Sequence, residues 1–91
     1  MDEFNLAEGD ILTQITKYEL HREDGRIFID IHKPLAGANK EVFFAVPNLL
    51  LQSGKGEYIG KGKTEEDALK DCLSKIKGVS IDKIIQKGNS D

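Results

Sequence analysis

The stretch from Thr64 to Gly78, TEEDALKDCLSKIKG, is the part of the chain that allows the fewest folds. Thr64 suits a helix N-cap, because its hydroxyl can accept a hydrogen bond from a free amide of the first turn. Glu65, Glu66 and Asp67 follow where the positive end of the helix dipole favours carboxylates. Ala68, Leu69, Cys72, Leu73 and Ile76 recur at helical spacing and form one apolar stripe. Lys75 and Lys77 fall in the last turn, and Gly78 suits the C′ position, where the backbone turns left-handed. A helix this short draws most of its stability from packing its apolar side, so the rest of the chain must supply a surface for it.

Strand patterns upstream supply one. In RIFIDIHK, Ile27, Ile29 and Ile31 alternate with Phe28, Asp30 and His32, so one face is buried. Residues 11–21 contain Thr13, Ile15, Thr16, Tyr18 and Leu20, which suit a strand. Asp24-Gly25 between the two reads as a hairpin turn, since both residues tolerate positive φ. Pro34 is expected to end the second strand. EVFFAV, residues 41–46, makes a third, with Val42, Phe44 and Val46 on the core face and Phe43 and Ala45 on the other, and Pro47 as its stop. A short strand is expected at about 57–61. Ser80, Ile81, Ile84 and Ile85 suggest a short capped second helix.

The order is β-β-β-β-α with a short α after it. This predicts an α+β fold: an antiparallel sheet of three to four strands with one main C-terminal helix on one face. Residues 1–9 read as a flexible arm, 10–86 as a single domain and 87–91 as a disordered tail. A chain of 91 residues has room for one domain. No apolar run approaches the roughly 18 residues of a membrane span, and the acidic start MDEFNLAEGD does not resemble a signal peptide. One cysteine, Cys72, excludes an internal disulfide, and the expected compartment is the cytoplasm.

The charge balance disfavours a nucleic-acid partner. The net charge is −3. Residues 1–32 hold Asp2, Glu3, Glu8, Asp10, Glu19, Glu23, Asp24 and Asp30 against Lys17, Arg22 and Arg26, while residues 33–91 are slightly basic. GKGEYIGKGKT superficially looks like a phosphate loop, G-x-x-x-x-G-K-[ST], but the first glycine position is Glu57. Three carboxylates at the following helix start also compete with phosphate. Gly60 and Gly62 have a simpler use: they let the chain turn tightly from an edge strand into the helix, where Cβ atoms would clash.

No other chemistry assembles from the residue types. His21 and His32 could lie near one another, but a metal site needs more ligands in one patch. Cys72 lies on the apolar stripe and reads as an inert buried thiol. Asp67 and Asp71, four residues apart, read as solvated. No catalytic, cofactor-binding or metal residue and no small-molecule ligand is expected.

Two families share the strand–glycine–helix corner. Residues 26–77, with GRIFIDIH, EVFFAV and GEYIGKGKTEEDALKDCLSKI, resemble the double-stranded RNA-binding domain. That resemblance implies phosphate contacts at the helix start. Here Glu65, Glu66 and Asp67 take the place of that family's lysines, which leaves Lys61 and Lys63, and an N-terminal helix is missing. PNLLL (47–51) and GKGKTEEDALKDCL (60–73) are similar to HicB-like antitoxins, with Asn48 in place of an acid and no proline–glycine pair. The residues from 81 to 91 are not expected to form a DNA-binding module.

The apolar leftovers must meet the N-terminal arm, the short second helix or another chain. One helix covers one face of a sheet, so Phe28, Phe43 and the run Leu49, Leu50 and Leu51 are the expected partner surface. The sequence thus predicts a small non-catalytic interaction domain that binds a protein partner or itself through the sheet, antitoxin-like in its sharper form. The alternative is a module that binds double-stranded RNA through Lys61 and Lys63.

Overall fold

A computed structural model of the chain describes residues 5–37, 42–49 and 52–85. The elements are β1 (Ile11–Arg22), β2 (Gly25–Gly37), β3 (Phe43–Leu49), β4 (Gln52–Ser53), a 3-10 turn (Gly56–Tyr58), β5 (Gly60–Gly62), α1 (Glu65–Ile76) and α2 (Ile81–Ile84). All pairings are antiparallel, in the order β1-β2-β3, with β4 and β5 sharing the far edge of β3. The sheet is therefore four strands wide with a main helix on one face, the α+β architecture expected from the sequence. The predictions of an arm and a tail at the termini concern residues that lie largely outside those described.

The helix forms as its punctuation predicts. Thr64 Oγ1 accepts from the Asp67 amide at 3.0 Å, and Gly78 has φ of 76°. Ala68, Cys72 and Ile76 are buried against Ile27, Ile29, Ile31 and Ala45. Burying each isoleucine side chain contributes about 1.5–3 kcal/mol. α2 closes the end of the core with Ile84 and Ile85, and Ser80 Oγ accepts from the Lys83 amide.

Three local expectations are corrected. The hairpin tip is Glu23-Asp24, because Arg22 pairs with Gly25. Of Asp24 and Gly25, only Gly25 takes a positive φ, 135°, and so absorbs the reversal. Neither proline ends its strand. β2 runs on through Pro34 to Gly37, and β3 through Pro47 to Leu49. Pro34 lies beyond His32, the last β2 residue paired with β3, and beside the register shift at Leu12/Thr13, where a missing amide is tolerated. Pro47 uses its carbonyl, which accepts from the Gly54 amide at 2.6 Å.

The third correction reverses the faces of β3. Ile29 pairs with Pro47 and Ile31 with Ala45, so Ala45 and Pro47 lie on the core side and Phe44 and Val46 on the other. Glycine explains why. A Cβ on Gly62 would lie 2.6 Å from the Ala68 nitrogen, and one on Gly60 would run into the Ala68 carbonyl and the Cys72 amide. The helix backbone rests directly on β5. A phenylalanine beside Gly60 would hold it off, whereas Ala45, the residue paired with Gly60, does not.

Candidate functional site: the open face of the sheet

The strand register sorts every paired residue to one of two faces. α1 packs chiefly over β5 and β3 on the isoleucine side. On the opposite face, among the described residues, no helix is packed. Ile15, His32, Phe44 and Lys61 form one row across four strands. Lys17, Asp30 and Val46 form the next, and Glu19, Phe28 and Asn48 a third.

The rows differ in chemistry. Lys17 Nζ lies 2.7 Å from Asp30 Oδ1 and 4.9 Å from the centre of the Phe28 ring. Asn48, buried at 8 % exposure, donates from Nδ2 to Asp30 Oδ2 at 2.8 Å and to the Val46 carbonyl at 3.3 Å. Arg26 Nη1 donates to Glu19 Oε2 at 2.7 Å. Lys17, Asp30, Glu19 and Arg26 thus neutralise one another in pairs. What remains is a half-buried apolar band of Phe28, Phe44 and Val46, with Ile15 52 % exposed at its edge.

The expected partner residues are divided by this arrangement. Phe28 lies on the open face. Phe43 and Leu49 turn inward and pack against the core. Leu50 and Leu51 lie outside the described residues. Ile15, Phe44 and Val46 share the open face with Phe28. The sequence pattern alone hides this, because alternation fixes which residues share a face but not which face is buried. A clue lay in Gly60, whose missing side chain lets the Ala68 and Cys72 backbone come close beside Ala45, the small β3 residue it faces.

Lys61 is exposed, and its register with Phe44 puts its side chain on the open face, while Lys63 is exposed in the turn before α1. The backbone amide of Lys61 donates to Asp71 Oδ2 at 2.9 Å. Asp71 also pairs with Lys75 at 3.2 Å, and Lys75 Nζ donates to the Ile59 carbonyl at 2.9 Å. Asp71, read from sequence as merely solvated, therefore staples α1 to β5. The Lys61 amide, and then Lys75, hold its carboxyl below the usual value.

The other candidates separate. His21 pairs with Arg26 and His32 with Ile15, so the histidines are six strand positions apart, about 20 Å. No three His, Cys, Asp or Glu converge among the described residues. Cys72 is fully buried, and burial pushes its thiol up to about 11. An open depression of about 350 Å³ is lined by Arg22, Glu23, Asp24, Gly78 and Ser80. Its polar groups face each other. Arg22 Nη2 donates to the Val79 carbonyl at 2.7 Å, and the Ile81 amide donates to Asp24 Oδ2 at 3.0 Å. It is a seam between the hairpin tip and the α1–α2 junction. Arg22 Nη1 is buried there without a hydrogen-bond partner among the described residues.

Fold and face together define a class: a small antiparallel sheet with a helix on one side and an apolar band on the other. Comparison with protein-family models, with curated proteins and with solved structures finds no match to this chain. Among the described residues no helix is long and apolar enough to cross a membrane.

Proposed function

We propose that the chain is a small, non-catalytic, cytoplasmic interaction domain that binds another protein through the open face of its sheet. The observation that carries this is the placement of Ile15, Phe28, Phe44 and Val46 together on the face opposite α1. Aromatic and aliphatic side chains ringed by paired charges suit a protein surface, with an apolar centre and a polar rim. The antitoxin-like form of the reading rests on the similarity at 47–51 and 60–73 alone.

The RNA-binding alternative draws on Lys61 and Lys63, and three acids at the start of α1 weaken it. The paired double substitution Phe44→Ser with Val46→Ser tests the main reading. It should leave the circular dichroism spectrum unchanged and abolish retention of whichever protein the unaltered domain retains. Equal retention by the variant overturns the assignment of this face. An RNA duplex titrated at low salt should not bind. Salt-dependent binding lost in Lys61→Ala with Lys63→Ala would establish the alternative instead.

A further inference from the structure

β1 is a twelve-residue strand at the edge of the sheet. Among the described residues it pairs with β2 alone. Natural proteins usually shorten, bulge or charge such an edge, because unpaired amides and carbonyls invite another strand. Here the bulge lies at one end, at Leu12/Thr13. Three large apolar residues on this strand are exposed: Ile11 at 51 %, Ile15 at 52 % and Tyr18 at 42 %.

The charges of β1 rank the registers centred on its charged stretch, Lys17 to Glu19. Two copies of a strand paired antiparallel about a two-fold axis can use only registers that keep hydrogen-bonding positions and faces matched. The axis must therefore pass through a residue. Centred on Lys17, the pairing sets Lys17 against Lys17, and centred on Glu19 it sets Glu19 against Glu19. Centred on Tyr18, it sets Lys17 against Glu19 twice. Ile15 then faces His21 on the open face, and Thr16 faces Leu20 on the helix side. Like charges directly opposite are destabilising and opposite charges are favourable. Lys17 is already bound to Asp30 and Glu19 to Arg26. The interface would therefore carry an alternating row of Asp30, Lys17, then Glu19 and Arg26 of the second copy, twice over.

We infer that β1 pairs with β1 of a second copy in the register centred on Tyr18, with Gln14 to Arg22 of each copy overlapping. The two sheets become one continuous sheet, and the two open faces become one surface. The pairing leaves the apolar band of each copy uncovered, so it stands or fails separately from the partner proposed for that face.

Sedimentation of the full chain over a concentration series tests it. The unaltered chain should form dimers. Lys17→Glu alone sets Glu against Glu, and Glu19→Lys alone sets Lys against Lys, so each variant should be monomeric. Mixing the two variants restores opposite charges at every position and should give a heterodimer. A second measurement avoids charge altogether. In a Cys72→Ala background, Tyr18→Cys should cross-link to itself under mild oxidation, while Gln14→Cys should not. An unaltered chain that stays monomeric at millimolar concentration overturns the inference, as does a mixture that stays monomeric or equal cross-linking at the two positions.

Discussion

Ala45 faces Gly60 across the β3–β5 ladder, and the backbone of α1 crosses directly over Gly60. The helix is seated by the absence of side chains as much as by apolar contact. Gly60→Ala should destabilise the fold by about 1–3 kcal/mol, because its methyl group meets helix backbone and nothing flexible can yield. Gly56→Ala is the control, since a Cβ there meets nothing within 4 Å. Urea midpoints of the two variants measure the difference.

The two faces of the sheet should answer differently to truncation. Ile29→Ala leaves a cavity in the core and should cost about 2–5 kcal/mol. Val46→Ala on the open face should cost well under half of that. Equal losses in chemical denaturation would contradict the face assignment.

Asp24 and Asp71 each accept a backbone amide, from Ile81 and Lys61 respectively, and these bonds hold both carboxyls below their ordinary value of 3.8. A carboxyl lowered by folding adds stability that is fully present above 3.8 and disappears as the pH falls through the depressed folded value. Asp24→Asn and Asp71→Asn should therefore each lower the melting temperature at pH 7. The gap from the unaltered chain should close under strongly acidic conditions, as thermal melts across the acid range would record.

Cys72 should resist thiol reagents in the folded protein. Its burial, and a thiol raised to about 11, leave almost no accessible thiolate at neutral pH. Labelling with a disulfide reagent should be slow in buffer and complete within minutes in denaturant. Fast labelling in buffer would mean that α1 lifts from the sheet.

Local chemistry made much of this fold legible in the sequence. Thr64 and Gly78 bound α1 because a hydroxyl cap and a left-handed glycine act within one turn of the helix. Ser80 marks α2 in the same way. Pro34 and Pro47 misled, because whether a missing amide ends a strand depends on the neighbouring strand, which is tertiary information. The faces of β3 misled for a related reason. Alternation made Phe44 and Val46 look like core, and it is the seating of α1 on Gly60, opposite Ala45, that accounts for Ala45 and Pro47 facing inward. That reversal moved Phe43 and Leu49 into the core and left Phe28 on the open face beside Phe44, Val46 and Ile15.

The clasp between the hairpin tip and the α1–α2 junction joins residues far apart along the chain, Arg22 to Val79 and Asp24 to Ile81. During synthesis β1 and β2 can meet as soon as both have left the ribosome, because their contacts are near neighbours. The clasp joins positions 57 residues apart and must wait until Val79 and Ile81 have also emerged. The first hairpin should therefore exist for a time with its tip unfastened, and amide exchange at Ile81 in a stalled-chain series would date the moment it is secured.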